Sequence, residues 1–199
     1  MISVIVPVFN EVENIKKLIT KFDELLQKKD ENYELIIVDD HSTDGTWEIL
    51  LELKNSFPIR PFLKEGKKGK AYSLIQGFTK SVGDKLVMID ADLQYPPEAA
   101  VNMVSNLGKF DVIVANRKNY NHSYTRKSLS RAFKLTFGKF LFGLDTDVQS
   151  GLKAFKREVW DIVKFLPSSP WSFDLEFLHK AKDSGFTIAN YDITFNARN

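Results

Sequence analysis

Cysteine is absent from the 199 residues, which excludes disulfides, thiolate zinc sites and cysteine nucleophiles and fits a reducing compartment. Also missing is any apolar run approaching the roughly 18 residues that a spanning helix needs. Such a chain works at a membrane from its surface, or through a segment outside this sequence. The first residues, Met1-Ile2-Ser3-Val4-Ile5-Val6-Pro7, lack the basic start and cleavage site of a signal peptide, so a cytoplasmic location is expected. Excess charge is lacking too: 28 Lys and Arg stand against 26 Asp and Glu, a net charge of +2. That balance is too small to suggest nucleic acid, and no nucleic-acid partner is expected. No G-x-S-x-G elbow or G-x-G-x-x-G fingerprint occurs, which argues against a typical hydrolase or Rossmann dehydrogenase. His41, His122 and His179 are scattered without ligand spacing.

What is present alternates. The β-branched run 2–8 is followed by apolar positions at helical spacing, Ile15, Leu18, Ile19, Phe22, Leu25 and Leu26. A second apolar run, 33–38, leads into Asp39-Asp40, then a Ser42-Thr43-Asp44-Gly45 turn and a helix beginning near Thr46, with Thr43 or Asp44 as its cap. Strands are expected at 58–63, 84–90 and 111–116, with helices at 67–82 and 96–107 between them. A short strand LKAF, a helix, a Pro167–Pro170 loop, a helix over 172–184 and a strand at 187–195 complete the chain. The length fits one domain, 1–199. The pattern predicts an α/β fold with a mostly parallel sheet and helices on both faces. Ligands of such sheets sit beyond the carboxyl ends of the strands. Those ends carry Asn10-Glu11, Asp39-Asp40, Asp90-Ala91-Asp92 and Asn116-Arg117.

Four stretches carry the chemistry. Asp90-Ala91-Asp92 puts two carboxylates at a strand end, where with Gln94 they can hold a hard cation such as magnesium together with phosphate oxygens; the same aspartates also suit a turn ahead of a helix. Pro7-Val8-Phe9-Asn10-Glu11 and Val38-Asp39-Asp40 end two strands and can face each other across a crevice, offering an apolar ring and carboxylates to a base or ribose. The glycine-lysine turn 64–70, ending in Lys70, opens a helix and suits a diphosphate, or is a solvated turn; its spacing is not that of a Walker A loop. Residues 112–144 contain no acid yet carry Arg117, Lys118, Arg126, Lys127, Arg131, Lys134 and Lys139, interleaved with phenylalanines. That region is either a solvated helix face packed on a core or a surface for an anionic bilayer, where each cation is worth ~1 kcal/mol.

Taken together the stretches VIVPVFNEVENI, IIVDDHSTDGTWEIL, GKKGKAYSLIQGF, GDKLVMIDADLQYPPE, VIVANR, DVQSGLKAFKREV and SFDLEFLHKAKDSGFTI resemble the family 2 glycosyltransferases of the GT-A fold. They are most similar to the polyprenol-phosphate, dolichol-phosphate mannosyltransferase type. The resemblance implies an NDP-sugar donor, Mg2+ or Mn2+, inversion at the anomeric carbon and a polyprenyl-phosphate acceptor at the cytoplasmic face of a membrane. It divides the chain into a nucleotide-sugar half, 1–117, and an acceptor half, 118–199. By the same resemblance Pro7, Phe9, Glu11, Val38 and Asp40 hold the nucleoside, with Lys70 and Arg198 also on the donor side. Asp90 and Ala91 lie against ribose and diphosphate, Asp90, Asp92 and Gln94 bind metal, and Arg117 meets phosphate. Arg126 and Arg131 bind the acceptor phosphate, Ser150 lies beside the acceptor, and Asp147 lines the reaction centre. An ionised phosphate acceptor needs no strong general base. Phe9 stands where relatives carry tyrosine. The sequence stops at Asn199, where relatives continue with a Gly-x-Ser-Lys segment, a C-terminal extension that these residues do not include.

Two other functions are compatible with these residues. One is a family 2 transferase with a sugar or other polar acceptor and Asp147 as base; the other is a nucleotide-sugar-binding or membrane-surface protein without catalysis. Which sugar, which base and which oligomeric state the protein uses are not written in these residues.

Overall fold

Seven strands and six helices follow one another along the computed structural model, which describes residues 1–118, 146–164, 167, 169 and 172–195. They are β1 (Ile2–Val8), α1 (Val12–Gln27), β2 (Tyr33–Asp39), α2 (Thr46–Leu53), β3 (Ile59–Leu63), α3 (Lys70–Lys80), β4 (Lys85–Met88), α4 (Pro97–Ser105) and β5 (Val112–Lys118). After these come β6 (Lys153–Lys156), α5 (Arg157–Val163), α6 (Phe173–Asp183) and β7 (Ile188–Thr194).

The strands form one sheet in the order β3-β2-β1-β4-β6-β5-β7. Every pairing is parallel except those of β6, which runs antiparallel to both β4 and β5. From β1 the chain winds outward through β2 and β3, then returns to the other side of β1 as β4. The crossing between β1 and β4 is therefore a topological switch point, where loops diverge at the carboxyl ends and leave a crevice.

Side chains alternate across the sheet with period two. From β1, Val4, Val6 and Val8 enter a core with α1, α2 and α4, whose contributors include Leu18, Phe22, Leu50 and Val104. Ile5 faces the opposite core, built with Phe78 of α3, Trp160 of α5 and Phe177 of α6. Helices thus cover both faces, as the strand–helix alternation predicts. The Phe78 ring meets Phe155 edge-on at 5.3 Å and Trp160 at 4.8 Å. At Gly77 a Cβ would lie 2.5 Å from Ile5 Cγ2, so α3 sits on β1 closer than any other residue permits there.

Two elements differ from the sequence expectation. Helix α3 begins at Lys70 rather than Lys67, because Gly66 (φ 78°) and Gly69 (φ 121°) hold the preceding turn in conformations a helix lacks. Strand β6 reverses direction inside an otherwise parallel sheet, an outcome of long-range pairing that a four-residue apolar run does not encode. At the far edge Asp111 staples three strands. It accepts from Lys156 Nζ (2.7 Å), Thr187 N (2.8 Å) and Thr187 Oγ1 (2.6 Å), and the Lys156 and Thr187 bonds hold its carboxyl down at about 2. Among the described residues no helix is long and apolar enough to cross a membrane.

Candidate functional site

The loops after β1 and β2 are laced to each other. Asn10 N donates to Ser42 Oγ (2.9 Å), Thr43 N to Asn10 Oδ1 (2.8 Å), and Asp40 N to Val8 O (2.9 Å). The exposed N–H groups at the start of α1 are satisfied from the neighbouring loop: Glu11 N donates to Thr46 Oγ1 (3.0 Å) and Val12 N to Asp44 Oδ2 (3.1 Å). Asp44 also accepts from Thr46 N (3.0 Å), so it ties both helix starts together. Burial works against its charge, but the Thr46 and backbone N–H bonds outweigh it and hold the carboxyl below its ordinary range. Three residues just beyond the ends of β1, β2 and β4, namely Asn10 (φ 55°), His41 (φ 61°) and Leu93 (φ 59°), adopt left-handed backbone. For a side chain like that of Leu93 such a conformation costs roughly 1–2 kcal/mol, and strain of this kind gathers at binding sites.

A cleft of about 230 Å³ opens at the switch point, lined by Pro7, Val8, Phe9 and Glu11 after β1, Asp40 after β2, Lys70 and Ser73 of α3, and Asp90, Ala91 and Asp92 after β4. Phe9 is 57% exposed, presenting its ring to the opening. Asp40 accepts from Gly69 N (2.7 Å) and pairs with the buried ammonium of Lys64, which also donates to Lys67 O (2.6 Å). Its carboxylate therefore anchors the glycine-lysine turn while facing the cleft. Across from it, Lys70 pairs with Asp90. Burial opposes the charge of Lys70, but the Asp90 and Asp174 carboxylates overcome that and hold its pKa above the ordinary value.

The donor set around Asp90, Asp92 and Gln94 is all oxygen. No group of three or more His, Asp or Glu side chains gathers among the described residues. Two carboxylates and an amide oxygen suit Mg2+ or Mn2+, ions that keep waters and share phosphate oxygens rather than fill a protein cage. Room for the carboxylate comes from Gly151, where a Cβ would lie 2.1 Å from Asp90 Oδ2. The residues fit such an ion.

Beyond this cleft the expected residues are arranged differently. Arg117 and Asp147, 30 residues apart, form a two-pronged ion pair, with Arg117 Nη2 donating to Asp147 Oδ1 at 3.0 Å. The Arg117 guanidinium lies 5.4 Å over the Phe195 ring, which meets Tyr95 edge-on at 4.9 Å. Val38 is fully buried under α3 and does not line the cleft. Ser150 is fully buried as well; its hydroxyl is turned onto the main chain of Leu152 rather than toward an acceptor. Arg126, Arg131 and Arg198, with His122 and most of the basic-aromatic stretch, lie outside the described residues.

Four residues of this region, Tyr95, Lys64, Lys153 and Asp174, have no individual role assigned from the sequence. Tyr95, almost wholly buried, accepts from Gly151 N (2.8 Å), and burial pushes its phenol up to about 12. Lys64 is buried against Asp40. Lys153 is buried and paired with Asp174 at 2.6 Å. The one visible signal was Lys153 itself, a charge inside the apolar strand LKAF.

A sequence model described as glycosyl transferase family 2 matches residues 3–163. Dolichol-phosphate mannosyltransferase of Pyrococcus furiosus is 32% identical over 206 residues, covering 99% of this chain and 57% of that protein. Undecaprenyl-phosphate 4-deoxy-4-formamido-L-arabinose transferase of Proteus mirabilis is 29% identical over 163 residues, covering 80% of this chain and 50% of that protein. The chain thus spans about half the length of these curated relatives. Among solved structures, glucosyl-3-phosphoglycerate synthase of Mycobacterium tuberculosis superposes with a TM-score of 0.76 at 21% identity, covering 100% of this chain and 72% of that one. That crystal contains Mn2+, UDP-glucose and phosphoglyceric acid. At this identity the likeness concerns the fold.

Proposed function

The chain belongs to glycosyl transferase family 2, and from that membership we propose that it moves a hexose from a nucleoside-diphosphate sugar to a polyprenyl phosphate, with inversion at the anomeric carbon. The observation that carries this reading is one cleft lined by Phe9, Asp40, Lys70, Asp90 and Asp92, drawn from three strand ends and one helix start. Phe9 offers a ring to the base, and Asp40, fixed by Lys64 and Gly69 N, bounds the nucleoside end. Lys70 holds positive charge beside Asp90, where a diphosphate needs it. Asp90, Asp92 and Gln94 would hold Mg2+ or Mn2+, which would supply charge neutralisation for a diphosphate.

The acceptor class is supported by the names of the two curated relatives, both transferases acting on polyprenol phosphates. A phosphate acceptor is already ionised, so positioning and charge neutralisation supply the rate and no base is required. The Arg117–Asp147 pair favours this over a polar acceptor activated by Asp147, because the Arg117 guanidinium already occupies both carboxylate oxygens. Arg126 and Arg131 meet the lipid phosphate in this reading, Arg198 completes the donor side, and the basic-aromatic stretch rests on the cytoplasmic face of a bilayer.

Calorimetry with UDP-glucose, UDP-GlcNAc and GDP-mannose, each with Mg2+, Mn2+ or EDTA, tests the donor half of the proposal, with Asp92→Ala in parallel. One donor is expected to bind more tightly with metal than in EDTA, and to lose that metal-dependent gain in the variant. A wild-type protein that binds none of the three overturns the donor reading. Transfer to a soluble sugar but not to polyprenyl phosphate in vesicles overturns the acceptor reading.

A further inference from the structure

Lys153 has no solvent exposure, yet it carries a charge into the centre of the sheet. It stands on β6 opposite Met88 of β4 and Val114 of β5, two residues before the Asp90 end of the cleft. An ammonium buried without partners is strongly unfavourable, and a methionine would fill the same slot without that penalty. Two partners are present: Nζ donates to Ser150 O (2.5 Å) and to Asp174 Oδ1 (2.6 Å). Nothing in the proposed transfer uses this lysine.

A route leads from it to Asp90. Ser150 O belongs to the peptide joining Ser150 to Gly151, and Gly151 packs directly on the Asp90 carboxylate while donating to Tyr95. Holding that carbonyl fixes the wall against which Asp90 rests. The other partner, Asp174, stands in the first turn of α6. Its carboxylate accepts from the same Nζ and so helps hold the ammonium at Ser150 O.

We propose that Lys153 and Asp174 are positioning residues: the buried ammonium pins the Ser150–Gly151 peptide and the Asp174 carboxylate, and so holds Asp90 in the orientation that a metal-bound diphosphate requires. This deepens the donor-site reading and rests on it. A buried ion pair that served folding alone would affect melting temperature and leave metal-dependent binding untouched.

The test titrates UDP and GDP into wild type, Lys153→Met, Asp174→Asn and the double variant, each with Mn2+ and with EDTA, and records melting temperatures alongside. Outer partners of metal ligands are typically worth about 10–100-fold in metal affinity. Lys153→Met is expected to weaken Mn2+-dependent nucleotide binding by about that factor, with less than about a twofold change in EDTA. Asp174→Asn is expected to act in the same direction and more weakly. The double variant is expected to match Lys153→Met rather than the product of both effects, because the two share one route. Wild-type protein that binds neither nucleotide overturns the donor reading and this inference together. Wild type that binds, beside any folded single variant with unchanged Mn2+-dependent affinity, overturns the inference alone. Asp174 is partly exposed, so its variant keeps the test decisive if Lys153→Met does not fold.

Discussion

Gly151→Ala adds a single methyl group at the back of the cleft. Its φ lies outside the left-handed region, so the backbone accepts alanine and the whole effect comes from contact. The new carbon falls 2.1 Å from Asp90 Oδ2, 2.6 Å from Asp90 Cγ and 3.0 Å from Tyr95 Cε2. Non-bonded carbon contacts settle near 3.5–4.0 Å, so the carboxylate must retreat by at least about 1 Å. Its retreat strains the pair with Lys70 and turns the oxygens away from their present aim. A displacement of about 1 Å typically costs about 100-fold in turnover, and a misdirected ligand about 10–100-fold in metal affinity. Overpacking costs about 1–3 kcal/mol, which for a chain of this size lowers the melting temperature by roughly 2–12 °C. The assay is calorimetric titration of Mn2+ in the presence of the donor nucleotide, with thermal melting beside it. Gly108→Ala is the control, since nothing lies within 4 Å of its Cβ position. A Gly151→Ala protein with wild-type Mn2+ affinity refutes the placement of Asp90 in the metal site.

Lys64→Met removes the buried partner of Asp40 and the anchor on Lys67 O; breaking such a pair typically costs about 3 kcal/mol or more. The expected fall in melting temperature is roughly 6–12 °C with weakened nucleotide binding, and an unchanged melting curve contradicts it. Asp111 gives the pH signature. Its folded value of about 2 lies below the ordinary 3.8, so its stabilisation is present above about pH 4 and disappears as pH falls from about 4 to about 2. The shift amounts to ~2 kcal/mol, so urea melts of wild type and Asp111→Asn should differ by that much at pH 6 and converge near pH 2. A difference that stays constant over that range rules the staple out.

The elements that were legible in the sequence are those whose residues need only local reasons. Ile2–Val8 and Tyr33–Asp39 are continuous apolar runs, and such runs become central parallel strands whatever surrounds them. The acids that follow such runs, Asp40 after β2 and Asp90 after β4, reach one cleft because parallel strands present their carboxyl ends together. What stayed hidden depends on partners distant in sequence. The direction of β6 is set by pairing with Met88 and Val114, neither near it in the chain. Arg117 and Asp147 read as separate ligands for phosphate and acceptor, and only the insertion of β6 brings them into a pair. The constraint on Gly151 is an Asp90 oxygen some sixty residues earlier in the chain, which no local signal announces. Ser150 next to it was expected to face an acceptor, but the turn into β6 folds its hydroxyl inward.

Under the proposed donor reading, charge gives a divalent ion a part in binding as well as in the chemical step. Among the described residues the cleft is lined by Glu11, Asp40, Asp90 and Asp92 against one lysine, Lys70. Lys64 offsets Asp40 from behind, which leaves an excess of negative charge facing the opening. A nucleoside diphosphate is itself anionic, and like charges in a partly buried cleft repel by kilocalories rather than tenths. In the proposed reading a divalent cation held by Asp90 and Asp92 would offset that excess and give diphosphate and carboxylates a common centre to attract. The consequence is a coupling with a definite sign: Mn2+ should tighten the nucleotide, and the nucleotide should tighten Mn2+ by the same factor. In Asp92→Ala the excess of acid falls, so nucleotide binding in EDTA should hold or improve while the metal-dependent gain is lost. Equal losses with and without metal would show that Asp92 acts on the fold rather than on the ion.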